Sequence, residues 1–121
     1  MAKTQRGSLC PVDNFQAMVS GEYKLRIVWD LQAGPRRYNA IKRGLLRGKL
    51  GSPEIAARVL SRELKALAEL GVLARRDFGV IPPKVEYDLT PLGRSLVPVI
   101  AAMHKWGRRH LVAKIRNSDA A

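Results

Sequence analysis

The sequence predicts a small α+β domain that is mostly helical, and three observations support this fold class. Apolar residues recur at intervals of three and four in five segments, which is the spacing of helices with one buried face. The helical pattern stops in two short runs, 72–78 and 84–89, the second of which alternates as a strand does. With 121 residues, 46% of them hydrophobic, the chain is long enough for a single domain with a modest core.

The best-defined element is a helix that begins at Ser52-Pro53 and ends at Gly71. A serine hydroxyl caps free amides, a proline ring suits the first turn, and glycine is typical of a helix end. The buried stripe of this helix is centred on Leu60, Leu64 and Leu67. Glu63 and Glu69 lie off the opposite face, which therefore carries positive charge only. The residues of that face, at i, i+3, i+4 and i+7, are Arg58, Ser61, Arg62 and Lys65.

Three shorter helices are predicted upstream, over 12–19, 23–33 and 37–45. A glycine-containing connection joins the last of them to the helix over 52–71, which is basic on its outer face. This arrangement is typical of a helix-turn-helix, in which the second helix reads DNA. Cations on or before the third helix are expected to contact phosphates without conveying sequence information. These residues are Arg36, Arg37, Lys42 and Arg43.

The two strand candidates form a predicted hairpin whose tip, 79–83, contains two prolines that cannot serve central ladder positions. The basic residues at or near this tip are Arg75, Arg76 and Lys84. A basic hairpin directly after a recognition helix is the wing of a winged helix-turn-helix, and it lies against the phosphate backbone or the minor groove. An alternative for one of these cations is an ion pair across the hairpin with Asp77 or Glu86.

The last helix is predicted to begin at Thr90-Pro91 and to bend or kink near Pro98 and Gly107. Its apolar stripe is longer than a small domain can cover, so we expect a second copy of the chain to cover it. The sequence thus predicts a homodimer held by N- and C-terminal dimerisation helices. The residues assigned to the dimer interface are Phe15, Leu92, Leu96, Val99, Ile100, Met103 and Trp106.

The charge balance and the single cysteine limit the function classes. Lys and Arg outnumber Asp and Glu by 22 to 10, and the net charge of +12 favours nucleic acid as a partner, with an anionic membrane second. No apolar run reaches the roughly 20 residues of a membrane span, and no secretory signal is visible, so we expect a cytoplasmic protein. Cys10 is alone, which excludes an internal disulfide. It is either a small buried hydrophobe or a thiol that oxidants or electrophiles can reach.

Other site chemistries find little support. No nucleophile–base pair, phosphate-binding glycine loop or pair of carboxylates indicates an enzyme, and no cofactor is implied. His104 and His110 have no carboxylate or cysteine at ligand spacing, which argues against a metal site. Aromatic side chains at a dimer interface could line a pocket for an apolar effector. The predicted organisation is a basic tail over 1–9, one domain over 10–115 and a C-terminal tail over 116–121.

Several strings of the sequence resemble the HxlR-type regulators, most specifically I-P-P-K-V-E-Y-D-L-T-P-L-G at 81–93. Others are C-P at 10–11, G-P-R-R-Y at 34–38, V-L-S-R-E-L at 59–64, L-G-V at 70–72 and W-G at 106–107. The resemblance implies a dimeric winged helix-turn-helix protein of the broad MarR-like group that binds operator DNA. Members of the family control responses to aldehydes, quinones, oxidants and other stresses, and several use a cysteine at the position of Cys10 as a sensor.

The sequence departs from this family around residues 50–58, where it is about one helical turn longer than the usual string. Either the recognition helix has an extra first turn or the loop before it is longer. The overall prediction is a homodimeric repressor that reads a pseudo-palindromic operator with half-sites about 10 base pairs apart and responds to an oxidant or a small-molecule effector. The alternatives are a sequence-tolerant architectural DNA-binding protein, a regulator whose effector pocket at the dimer interface uses no thiol chemistry, and an enzyme or small-molecule carrier.

Overall fold

The computed structural model describes residues 8–47 and 57–111, which fold into five α-helices, one 3₁₀ turn and three strands. In chain order these elements are α1 (Pro11–Val19), α2 (Lys24–Asp30), the 3₁₀ turn (Leu31–Ala33), β1 (Arg36–Arg37), α3 (Tyr38–Arg47), α4 (Ala57–Glu69), β2 (Leu73–Asp77), β3 (Val85–Leu89) and α5 (Pro91–His110). The predicted mostly helical fold with one antiparallel hairpin after the basic helix is confirmed. The predicted helix start at Ser52-Pro53 and most of the two predicted tails lie outside the described residues.

The sheet is antiparallel with the strand order β1-β3-β2, and β1 was not predicted from the sequence. Arg36 lies opposite Tyr87 and Arg37 lies opposite Glu86, whereas the sequence analysis placed Arg37 at the start of the third helix. Pairing with β3 draws Arg36 and Arg37 into the sheet, so the helix begins only at Tyr38. The edge of β3 then supplies backbone partners for a two-residue strand.

The start of α5 is fixed by side-chain capping and by close packing. The Thr90 hydroxyl accepts a hydrogen bond from the Gly93 amide at 3.1 Å, as the predicted cap requires. A Cβ on Gly93 would clash with the carbonyl oxygen of Val72, so only glycine lets the helix approach the chain before β2 this closely. The helix continues through Pro98 and Gly107 without a break.

The hydrophobic core lies between α2, α3, α4, the sheet and the first half of α5. The inward stripe of α4 is buried as predicted, at 0–2% exposure for its three leucines. Burial of this stripe determines which face of α4 remains outside. The buried apolar residues are Ile27, Val28, Leu31, Ile41, Leu45, Leu60, Leu64, Leu67, Val72, Leu73, Leu89, Leu96 and Ile100.

Helix α5 has two apolar stripes, one buried and one exposed. The assignment of Leu96 and Ile100 to a dimer interface is wrong, because these two residues belong to the buried stripe. Both are 8% exposed or less and pack in the core of their own chain. Phe15 of α1 is half-buried against the same core. The other four interface candidates, Leu92, Val99, Met103 and Trp106, are 45–58% exposed and form a row next to the buried one around the helix. The sequence analysis merged the two stripes because both recur at helical spacing.

Candidate nucleic-acid interface

The outer face of α4 presents the four residues that the sequence analysis selected, and all of them are exposed. The face has this orientation because the leucines on the other side are buried. The N-terminal end of the described helix is also tied to α3, since the Tyr38 hydroxyl donates a hydrogen bond to the carbonyl oxygen of Ala57 at 3.1 Å. The structure thus places Arg58, Ser61, Arg62 and Lys65 on one solvent-facing surface, called the α4 basic face below.

One acidic residue of α4, Glu63, has a role that the sequence analysis missed. Its carboxylate is buried and accepts a hydrogen bond from the Nζ atom of Lys24 at 2.6 Å. Lys24 also donates to the carbonyl oxygen of Ser20 at 3.0 Å. The helical spacing did contain a signal, because Glu63 lies one turn from both Leu60 and Leu67 and must therefore face inward.

Arg75 belongs with the α4 basic face rather than with the hairpin tip. It lies opposite Tyr87 in the register of β2 and β3. Together with Ser61 and Lys65 it lines an open groove between α4 and the sheet, whose other lining residues are Leu64, Ala68, Glu69 and Tyr87. The groove therefore brings two cations, a hydroxyl and the Glu69 carboxylate together from two elements. The prediction that Glu69 lies off the basic face is wrong, because Glu69 follows Lys65 by one helical turn on the same side of α4.

The wing carries its other two cations on one aromatic ring. The guanidinium carbon of Arg76 lies 4.4 Å from the centroid of Phe78, and the Nζ atom of Lys84 lies 4.3 Å from the same centroid. Cation–π attraction holds both charges near the base of the tip. Phe78 was not among the predicted functional residues, although strand alternation places it on the same side as Arg76.

The turn that follows β2 is organised by Asp77, whose Oδ1 atom accepts a hydrogen bond from the Gly79 amide at 2.9 Å. Gly79 has a φ of 66°, a left-handed conformation that favours glycine. Glu86 lies directly opposite Arg76 in the register and Asp77 lies opposite Val85, but among the described residues neither acid forms an ion pair with a wing cation.

The four cations before and within α3 differ in their accessibility. Arg37 and Arg43 are exposed, while Arg36 and Lys42 are half-buried. Arg36 is directed towards Gly44, because a Cβ at Gly44 would lie 3.8 Å from its Nη1 atom. Arg37 and Arg43 are therefore the better placed of these residues for contact with a polyanion.

Cys10 is exposed and precedes the first residue of α1, so the interpretation as a buried hydrophobe is wrong for the single chain. Its backbone amide donates to the hydroxyl oxygen of Ser8 at 3.0 Å.

The two histidines of α5 are engaged in ring contacts: the ring of His104 stacks on that of Trp29 with centroids 5.1 Å apart, and the ring centroid of His110 lies 4.7 Å from that of Trp106. In the described part of the chain, no three potential metal ligands cluster, and no helix is long and apolar enough to cross a membrane.

Comparison with known proteins places this arrangement in a family. Residues 18–115 match the family described as HxlR-like helix-turn-helix. The chain is 35% identical over 101 residues to the HTH-type transcriptional regulator YdeP of Bacillus subtilis, a match that covers 84% of this chain and 73% of the relative.

Solved structures show the same fold. A chain described as a transcriptional regulator of the MarR family, from Porphyromonas gingivalis W83, superposes with a TM-score of 0.75 at 32% identity, covering 86% of this chain and 95% of that one. The redox regulator HypR in its oxidized form superposes with a TM-score of 0.71, also at 32% identity, covering 84% of this chain and 97% of HypR.

Proposed function

The chain belongs to the HxlR-like helix-turn-helix family of transcriptional regulators, and from this premise we propose that it acts as a homodimer that binds a specific DNA operator and represses transcription. The observation that carries the proposal is the α4 basic face, whose three cations and one serine are exposed on a helix whose other side is buried, with Glu69 at the C-terminal end of the same side. A surface of this kind, next to a basic hairpin, fits the major groove and the flanking backbone.

The side chains of the α4 basic face divide between reading and positioning. Arg58 and Arg62 carry guanidinium groups that can bind O6 and N7 of guanine together, and Ser61 can serve a base edge or a phosphate. Lys65 and Arg75 face a common groove, which suits a backbone phosphate beside the major groove. The wing cations Arg76 and Lys84 would then contact DNA phosphates adjacent to those bound by Lys65 and Arg75.

The homodimer would form through the exposed apolar stripe of α5. Leu92, Val99, Met103 and Trp106 lie on one side of the helix, and α1 has no buried residue of its own. Covering both helices with a second copy would remove the exposed apolar surface and give two α4 helices related by a two-fold axis. Two such helices read half-sites about 10 base pairs apart on a pseudo-palindromic operator.

Cys10 is the proposed sensor of oxidants or electrophiles. Its thiol is exposed at the start of α1, and the chain is similar to a protein described as a redox regulator. Because the chain has one cysteine, oxidation would give an intersubunit disulfide, a mixed disulfide or a sulfenic acid. We also propose that the protein is located in the cytoplasm, where a transcriptional regulator has access to the chromosome.

Selection of binding sites from random DNA, followed by titration of the selected operator, tests the DNA-binding part of the proposal. Arg62→Ala should weaken operator binding by about 1–3 kcal/mol for each subunit, that is about 5- to 150-fold per half-site, and should relax preference at one position of each half-site. Arg109→Ala removes the same charge from α5 and serves as the matched control. Equal losses for operator and random DNA in the Arg62 variant would favour the sequence-tolerant architectural protein instead.

The sensor is tested separately on the same operator. Hypochlorite or a quinone should release the native protein from DNA, while Cys10→Ser should stay bound under the same treatment. Release of the serine variant to the same extent would remove Cys10 from the proposal and favour an effector that uses no thiol chemistry.

A further inference from the structure

The inner side of α4 carries one charged residue, Glu63, and its ion-pair partner, Lys24, belongs to another helix. The Glu63 side chain is 7% exposed and its partner Lys24 is 13% exposed, so the ion pair is largely removed from water. The two residues are separated by 39 positions in the chain, and their atoms meet at 2.6 Å. The contact therefore joins α4 to a distant segment.

That segment is the turn between α1 and α2. Lys24 is the first residue of α2, and its Nζ atom also donates to the carbonyl oxygen of Ser20, the residue that follows α1. Gly21, between them, has a φ of 114°, and a Cβ there would lie 2.9 Å from the second carboxylate oxygen of Glu63. The turn is therefore shaped around the carboxylate, and the end of α1, the start of α2 and α4 share one contact point.

An ion pair constrains a helix differently from apolar packing. Apolar contacts are non-directional, whereas a 2.6 Å charge-assisted hydrogen bond also requires a narrow range of distances and angles. A rotation of about 20° would displace the surface of a helix of about 5–6 Å radius by about 2 Å. A displacement of that size takes Arg58 and Arg62 out of hydrogen-bonding distance of a base edge.

The energetics of burial point in the same direction. Burying two charges costs desolvation energy, and a buried pair is often replaceable by apolar residues without loss of stability. In some proteins such a pair instead selects one arrangement of the chain over others, and we assign that role to Lys24 and Glu63. In this chain the relevant arrangement is the rotation of α4 about its own axis, which determines where the α4 basic face points.

We propose that the Lys24–Glu63 ion pair is a positioning contact that fixes the rotation of α4 against the α1–α2 turn and thereby sets the discrimination between operator and random DNA. This inference rests on the proposed function, because it assigns the reading of DNA to the α4 basic face. Lys24 and Glu63 act through Arg58 and Arg62 and touch no DNA themselves.

The test replaces the pair with apolar residues of similar length, Lys24→Met and Glu63→Met together. The matched control neutralises the exposed pair between Arg94 and Asp88 with Arg94→Gln and Asp88→Asn. Affinities for a selected operator and for random DNA are measured on protein shown to be folded by circular dichroism. We expect the double methionine variant to keep its affinity for random DNA within about twofold and to lose about tenfold in the ratio of operator to random affinity, that is about 1.4 kcal/mol. The control should keep the ratio.

Two further variants make the outcome decisive. The exchanged pair, Lys24→Glu with Glu63→Lys, should recover part of the ratio, which a purely space-filling role would not predict. If the methionine variant does not fold, Lys24→Met with Glu63→Gln decides, because it removes both charges and the Nζ donor while keeping the shape of the Glu63 side chain and leaving no unpaired buried charge. A folded variant without the ion pair that keeps the native ratio overturns the proposal. Unchanged operator affinity in Arg62→Ala would instead overturn the proposed function on which it rests.

Discussion

Helices α4 and α5 are both amphipathic, but they differ in what covers their apolar sides. The apolar stripe of α4 is buried in its own chain, and the charges on its other side face solvent. Helix α5 buries one stripe, at Leu96 and Ile100, and leaves a second exposed from Leu92 to Trp106. One chain is therefore sufficient to orient α4, whereas nothing in residues 8–47 and 57–111 covers the exposed apolar row of α5.

This difference separates two requirements for reading DNA. The orientation of the reading surface within one subunit depends on the core and on the Lys24–Glu63 pair. In the proposed homodimer, the spacing of the two reading surfaces would depend on the contact between the two copies. A signal that changes the second contact can alter the spacing without unfolding the first, provided that the effector binds the two arrangements with different affinity.

The largest expected effect contrasts one leucine from each helix. Leu64→Ala, at a site that is 1% exposed, should lower the free energy of unfolding by about 2–5 kcal/mol, because it removes buried contacts and leaves a cavity. Leu92→Ala, at a site that is 53% exposed, should cost less than about 1 kcal/mol in dilute protein. Urea unfolding followed by circular dichroism measures both values. Equal losses at low protein concentration would show that α5 is covered within one chain.

The second prediction concerns the exposed stripe itself. Met103→Glu places a charge at a site that is 46% exposed in one chain, so the subunit should fold while the proposed dimer is lost. The dimer dissociation constant should rise at least about 100-fold, that is by about 3 kcal/mol, because the carboxylate would be buried without a partner. Sedimentation equilibrium measures this change.

The control for this variant is Ala101→Glu, which adds the same charge at an exposed position on another side of α5. It should leave the dissociation constant within about twofold, since a surface charge of this kind has a small effect. A native protein that sediments as a monomer, or a Met103 variant that remains dimeric, would remove the difference between the two helices on which the comparison depends.

The third prediction sharpens the assignment of the α4 basic face to DNA. Lys65→Ala should weaken operator and random DNA alike, by about 1 kcal/mol for each subunit, and should reduce the slope of log affinity against log salt by about 2, because the proposed dimer loses one phosphate contact in each subunit. Lys105→Ala removes the same charge from α5 and should leave the slope unchanged. A salt titration of fluorescence anisotropy measures both slopes. Equal changes in the two variants would mean that overall charge, rather than a particular face, drives binding.

Elements whose residues interact with near neighbours could be predicted from the sequence. The α4 stripe, the cap at Thr90 and the hairpin around Gly79 all follow from spacing within a few residues. The two-residue strand β1 could not be predicted, because it has no periodicity and depends on the edge of β3, about 50 residues away.

In the candidate site, too, the features set by local spacing could be predicted, whereas contacts between distant residues could not. The exposed face of α4 follows from its buried leucines, and all four of its predicted residues lie there. The partner of Glu63 could not be inferred, since helical spacing shows that a side chain faces inward but not which distant residue meets it. The role of Phe78 needed the actual positions of Arg76 and Lys84 around its ring.

The smallest expected effect comes from an ion pair outside both surfaces. Arg94 of α5 and Asp88 of β3 meet at 3.2 Å, with side chains 51% and 37% exposed. Arg94→Gln should lower the free energy of unfolding by no more than about 0.5 kcal/mol, because solvent and salt screen an exposed pair. The measurement is urea unfolding at two salt concentrations, where any loss should shrink at the higher one. A loss as large as that of Leu64→Ala would contradict this prediction. It would mean that α5 is held to its own chain by this ion pair as strongly as α4 is held by a buried leucine.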